Sequence, residues 1–271
     1  MRRLLPRRLR ILVVLLFFGC ALVGPWLCPH SPIAIDLDRE FQLPSLRNPL
    51  GTADNGVDIL SVILHGSRLA AVVALSAVGI SLLLGTLLGA YAGYRGGRAD
   101  QLVTALADLV QAFPAIVLNI AILAMIARPG VGHLVLALSA NRWVLFARIA
   151  RAQALSLRER DFVLAARALG ATRLRIIGRH LLPNLAGPLV VQASAALAST
   201  ILAESTLSFL GLGPGAAVSW GALLDQGSRV LLRFPHVALI AGSVIAATVL
   251  AFNLTGDWLA ERMNPRTRSS T

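Results

Sequence analysis

The chain has 271 residues, 56% of them hydrophobic and only 14% charged, with a mean hydropathy of +0.73. Soluble domains carry about 45–50% apolar residues and about a quarter charged ones, so a soluble globular domain is excluded. The net charge is +12 and all 25 basic residues are arginine; without lysine the chain has no G-x-x-x-x-G-K-[ST] phosphate loop and no Schiff-base chemistry.

In chain order, the head MRRLLPRRLR carries five arginines and no acid, and the uncharged run Ile11–Cys28 follows it. Basic head and apolar run have the outline of a signal peptide. Phe17 and Phe18, however, stand where a peptidase wants small side chains, and no A-x-A-like site follows, so the run reads as an anchor that stays. Cys20 and Cys28 lie about 12 Å apart on one helix and cannot bridge; they read as small apolar fillers. Residues 29–66 hold prolines at 29, 32, 44 and 49 and no long apolar core, so this loop is expected to lie against the membrane domain. Its acidic residues, Asp54 and Asp58 among them, read as solvated surface charge or as contacts for an external partner.

Leu69–Tyr94 is again uncharged, and Gly79, Gly85, Gly89 and Gly93 lay a small-residue ridge along it. One such face is expected to pack within the chain and another to meet a sister subunit. Gln101–Ala127 contains one acid, Asp108, and Pro114 predicts a kink. His133 and Arg142 interrupt the next run, Pro129–Ala147. Ala186–Leu224 contains only Glu204, small residues at Ala193–Ser199, and a break at Gly211, Gly213, Pro214 and Gly215. Phe234–Gly256 has no charge. Runs of roughly 17–25 residues span a bilayer, so the pattern predicts an all-α integral membrane protein with six transmembrane helices.

Arginine placement sets the orientation. With the head in the cytoplasm, 18 of the 25 basic residues fall inside, while the first outer loop is acidic. Basic loops stay inside, so both termini are expected in the cytoplasm. The sequence pI of 11.6 is then a consequence of topology, and nucleic acid is not an expected partner.

Asp108 and Glu204 each cost about 2.5–3.5 kcal/mol inside a bilayer and must face protein or water. For Asp108 two readings stand side by side: a polar lining of a pathway with Asn119 and Gln111, or an ion pair with Arg142, Arg148 or a sister subunit. Asn253 and Asp257, late in the sixth span, read as an interhelical hydrogen bond or a helix end. No H-E-x-x-H or G-x-S-x-G occurs, and the five histidines lack ligand spacing. No catalytic residue, metal or cofactor is expected, and the chain reads as a conduit whose energy, if it needs any, arrives from elsewhere.

Asp161–Pro183, DFVLAARALGATRLRIIGRHLLP, is too charged to cross a bilayer. Its arginines alternate with apolar residues at helical spacing; Gly170 interrupts it and Pro183 closes it, which predicts two short helices with a bend. An amphipathic basic helix of this kind rests on anionic lipid or is presented to a partner.

This segment resembles the coupling loop of ABC importer permeases, in which E-A-A, three residues, glycine, nine residues, isoleucine, one residue and Leu-Pro follow in order. Ala165, Ala166, Gly170, Leu182 and Pro183 fall at the matching offsets, with Ala171 beside them. Leu164 and His180 depart from the general pattern in the manner of the dipeptide/oligopeptide/nickel branch. NPLGTADNGVDILS (48–61), LAESTLSFLGLG (202–213) with SWGALL (219–224), and LAFNLTGDWLAERMNPR (250–266) are similar to the same branch, and to its C-type permease in particular. Ala53 and Val57 depart from it.

The resemblance implies a type I importer permease that is not itself an enzyme. Residues 1–66 would be the anchor helix and periplasmic loop, 67–262 the permease core with its coupling loop at 151–185, and 263–271 a cytoplasmic tail. The implied partners are a second homologous permease, two ATP-binding subunits, a solute-binding protein and membrane lipid. Peptides are the implied cargo. Nickel chelates, glutathione and oligosaccharides are alternatives within the class, and a proton-coupled carrier using Asp108 and Glu204 is the alternative outside it.

Overall fold

A computed structural model describes residues 7–215 and 218–263. The first six residues of the arginine head and the tail from residue 264, with the last three residues of the 250–266 segment, lie outside the described residues. Ten α-helices and no β-strand occur among the described residues. They are α1 (Arg7–Leu27), α2 (Ile59–Arg95), α3 (Gly97–Gln111), α4 (Ala115–Ala124), α5 (Val131–Leu157), α6 (Asp161–Ala168), α7 (Arg173–Ile176), α8 (Leu182–Phe209), α9 (Trp220–Arg229) and α10 (Pro235–Met263).

Three helical stretches among the described residues are long and apolar enough to cross a membrane: Ile59–Arg95, Arg173–Phe209 and Pro235–Arg262. A fourth is the pair α3 and α4 taken together, bent by 80°. The break at residues 112–114 ends the third expected span in mid-course, a sharper event than a proline kink, because Pro114 cannot donate to the helix ladder. The first and fourth expected spans coincide with α1, whose apolar part is Ile11–Leu27, and with the more polar α5. The fifth does not run on to Leu224: α8 stops at Phe209 and the glycine-rich turn leads into the separate helix α9.

The residues fall into two compact units. One comprises Met1–Ser76, Ile120–Val135 and Leu197–Thr255. Its centre is an aromatic cluster, in which Phe17 of α1 packs edge-on against Phe252 of α10 at 5.4 Å and Trp220 of α9 at 6.0 Å. Trp220 also donates its indole N–H to the Ile63 carbonyl of α2 at 2.9 Å, so a large apolar side chain is buried with its polar atom satisfied. Residues 29–58 pack on the same unit. Ala53, Ile59, Val62, Leu223, Val237 and Ala241 form a second buried cluster there, and Phe41 stacks on Phe234 at 4.6 Å.

Asp58 sits at the start of α2 and is only 2% exposed, so the surface role expected from its charge is wrong. Its carboxylate accepts the Ser61 amide at 2.8 Å, the Ser61 hydroxyl at 2.7 Å and the Asn48 amide at 2.9 Å. It is a buried helix cap that also ties the loop to α2.

The other unit comprises Ala77–Asn119, Leu136–Ala196 and Gly256–Thr271. The glycine ridge of α2 lies in this unit against α5. A Cβ at Gly85 or Gly89 would run into the carbonyl oxygens of Trp143 and Ala147, and one at Gly93 would stand 2.5 Å from that of Arg151. The Gly85–Gly93 face is therefore covered within the chain and is not a sister-subunit surface. Backbone contact at this range needs side-chain-free positions on one partner.

Two ion pairs tie α3 to α5. Arg148 donates to Asp108 at 2.8 Å, and Arg151 holds both oxygens of Asp100, the Nη2 bond being 2.7 Å. The Asp100 pair is bidentate and half-buried, whereas the Asp108 pair is more than half exposed. A double-mutant cycle of Asp100→Asn and Arg151→Gln should give a coupling energy of about 1 kcal/mol, and the Asp108–Arg148 cycle a smaller one. Equal coupling energies in thermal denaturation would contradict this ranking.

Candidate functional site

The basic segment owes its shape to one glycine. At the end of α6 the Ala171 amide donates to the Ala166 carbonyl and the Gly170 amide to the Arg167 carbonyl, both at 3.0 Å. This double bond pattern is a Schellman turn, and Gly170 carries its left-handed residue at φ +80°. A Cβ there would meet no atom within 4 Å, so backbone conformation, not packing, demands the glycine.

Thr172 then caps α7, its hydroxyl accepting the Arg175 amide. Pro183 does not close a second short helix; the chain stays helical from Arg173 to Phe209. It does so through a π-helical turn at Ile177–Leu181. In a regular α-helix the ring of Pro183 would collide with the carbonyl four residues earlier, and the wider turn relieves that clash. The Asn184 side chain supplies the His180 carbonyl with a donor at 2.7 Å.

Val163, Ile176, Ile177 and Leu181 anchor the segment from below and are buried. On its outer side Ala165, Gly170 and Pro183 are exposed, and Ala166, Ala171 and Leu182 half-buried. Leu169 and Leu174, on either side of the bend, are 89% and 78% exposed. The result is a small-residue bend flanked by two bare leucines and bordered by Arg167, Arg173, Arg175 and Arg179. Beside it opens a cleft of about 720 Å³, whose polar lining is Tyr94, Arg95, Arg158, Glu159, Arg167, Thr172 and Arg173.

The intramembrane polar residues do not converge on a single cluster. Of the partners open to Asp108, the structure selects Arg148. Asn119 is buried and accepts a hydrogen bond from the Asn141 side chain of α5 at 2.9 Å, a pairing with no signal in the sequence. Gln111 lines a cavity of about 400 Å³ together with Asn141 and Arg142, whose Nη1 donates to the Ala196 carbonyl at 3.3 Å. Glu204 is 1% exposed and accepts the hydroxyls of Ser208 at 2.8 Å and Ser205 at 3.3 Å. Asn253 and Asp257 are exposed and form no side-chain hydrogen bond among the described residues, so the expected interhelical bond is not made.

Apolar helices that cross a membrane, together with a polar helix–turn–helix offering its bend to the outside, define the membrane component of a transporter. The chain belongs to the family of binding-protein-dependent transport system inner membrane components, whose sequence profile matches residues 85–269. It is 35% identical over 272 residues to the dipeptide transport system permease protein of Bacillus subtilis strain 168, covering 98% of this chain and 85% of that one. It is likewise 35% identical over 260 residues to the glutathione transport system permease protein of Pectobacterium atrosepticum, covering 95% and 86%. Among solved structures, the methionine ABC transporter MetNI in an inward-facing conformation matches 75% of this chain and 96% of its own, with a TM-score of 0.60. At 18% identity that match establishes likeness of fold. The chain is therefore a multi-pass inner-membrane permease of the ABC importer class, a transporter component and not an enzyme, and members of the class act with ATP-hydrolysing and solute-binding partners.

Proposed function

We propose that this chain forms half of the translocation pathway of an ATP-driven peptide importer. A second homologous permease forms the other half, a solute-binding protein delivers the peptide, and two ATP-binding subunits supply the energy. Both termini lie in the cytoplasm, where Ala165, Ala166, Gly170, Ala171, Leu182 and Pro183 seat the coupling segment on an ATP-binding subunit. Asp108, Asn119 and Glu204 act within the membrane, Asp108 through its pair with Arg148 and Glu204 through its two serine hydroxyls.

The observation that carries this reading is the exposed bend at Gly170 between Leu169 and Leu174. Small residues allow a partner's surface to come close, the leucines offer apolar area, and the arginines add complementary charge. Peptide cargo is supported by the relatives, among them the dipeptide permease of Bacillus subtilis and the di/tripeptide permease of Pseudomonas aeruginosa, 36% identical over 267 residues.

The test is capture of partners by the tagged chain from gently solubilised membranes, read as ATPase activity. Wild type should bring down a hydrolysing subunit. Gly170→Arg should lose most of it, because the left-handed residue is strained by about 1–2 kcal/mol and a long charged chain occupies the bend. Intact wild-type protein that recovers no ATPase in any mild detergent would count against the importer reading. Uptake of a labelled dipeptide by the complete assembly, competed by unlabelled dipeptide but not by glutathione, would separate the two cargoes carried by its relatives.

A further inference from the structure

We propose that the cleft beside the coupling segment binds a phosphate group, that of an anionic phospholipid headgroup. Four guanidiniums, those of Arg95, Arg158, Arg167 and Arg173, face about 720 Å³ of open space with Glu159 as the one carboxylate. Glu159 is engaged by Arg158 at 3.3 Å. Among the described residues Arg95, Arg167 and Arg173 form no ion pair. The cleft thus concentrates positive charge in a concave site, and guanidinium forks match phosphate oxygens in pairs.

Three of these arginines are already held in place, Arg95 by donating to the Tyr91 hydroxyl and lying 5.7 Å from the centroid of that ring. Arg167 lies over the Tyr94 ring, 5.6 Å from its centroid, and Arg158 donates to the Gly93 carbonyl at 3.4 Å. Arginines fixed in this way lose less freedom when an anion arrives.

Position selects the lipid as the source. The cleft opens where the uncharged run Leu69–Tyr94 of α2 gives way to Arg95. Both tyrosines of the chain, Tyr91 and Tyr94, stand at that end, as amphipathic aromatic rings do at the level of headgroups. Basic pockets at the ends of membrane helices bind acidic headgroups for this reason. Of the six residues assigned to ATPase docking only Ala171 lines the cleft, and Arg167 and Arg173 border both, so the site shares an edge with the docking surface. A lipid held there would tie the start of α7 to the end of α2 and make the posture of the coupling segment depend on membrane composition.

The experiment is native mass spectrometry of the full-length chain after exchange into detergent with equal phosphatidylglycerol and phosphatidylcholine. Wild type should retain phosphatidylglycerol selectively. Arg167→Gln with Arg173→Gln should lower that retention on the order of 25-fold, since each of the two arginines near a lipid surface is worth roughly a fivefold factor. Arg175→Gln with Arg179→Gln removes the same charge from exposed positions outside the cleft and should leave retention within about twofold. Arg173→Gln alone, at an exposed side chain, gives the direction if the pair fails to fold.

An equal fall in both pairs, or no lipid preference in wild type, overturns the site. Displacement of phosphatidylglycerol by millimolar inorganic phosphate, with equal protection of lipid-free protein, overturns the lipid as the source. Unchanged lipid retention with lost capture of the ATPase would give the cleft to an acidic protein side chain instead, and this too overturns the proposal.

Discussion

Gly89→Val is expected to destabilise the folded protein by roughly 3 kcal/mol, the upper end of what overpacking a tight interface costs. A Cβ at this position would overlap the carbonyl of Ala147 on α5, and its neighbours at Gly85 and Gly93 meet the backbone of Trp143 and Arg151 in the same way. Side chains yield by changing rotamer; a helix backbone yields only if the whole helix moves. Such a movement of α5 would also pull Arg148 and Arg151 away from Asp108 and Asp100 on α3. The measurement is the midpoint of thermal unfolding or of protease resistance in mild detergent. Gly79→Val is the control, because a Cβ there meets nothing within 4 Å. If Gly89→Val unfolded together with wild type while the control fell, the α2–α5 contact would not be the stabilising one.

Asp58→Ala should cost about 2–3 kcal/mol, more than an exposed cap. Loss of the carboxylate removes the cap on the Ser61 amide and leaves the amide of Asn48, itself only 4% exposed, without its acceptor. Buried donors left unsatisfied account for the larger share. Asp58→Asn should fall between wild type and alanine. It keeps an acceptor for Ser61 but sets one amide against another at Asn48. Limited proteolysis of the 29–58 loop should report the same order, because the Asn48 bond pins that loop to α2. Unchanged stability in Asp58→Ala, with weakened capture of a solute-binding protein, would return Asp58 to the surface role its charge first indicates.

Much of this protein was legible in its residues, and the reason is locality. Apolar runs of bilayer length depend on composition alone, so membrane class and the positions of α2, α8 and α10 follow from hydropathy. Gly170 is legible for a similar reason: a left-handed helix end is a property of a few consecutive residues, and glycine is the residue that adopts it freely. The match of Ala165, Ala166, Gly170, Leu182 and Pro183 to a known spacing was equally a one-dimensional fact.

What required the tertiary structure was the choice of partner. The glycine ridge announces close contact without saying with whom, and α5 of the same chain turned out to fill it. Asp108 had several arginines within conceivable reach, and only the packing of α3 on α5 places Arg148 at 2.8 Å. Asp58 looked like surface charge because its residue type is usually exposed; its burial depends on Asn48, ten residues back in the sequence. Pro183 read as a stop because the rule for proline assumes a regular α-helix, and a π turn of five residues removes that assumption. The sequence by itself determined which segments enter the membrane and where the chain bends, because those are decided over a few neighbouring residues. Only the tertiary structure decided which faces and charges meet, because that depends on the register between helices distant in the chain.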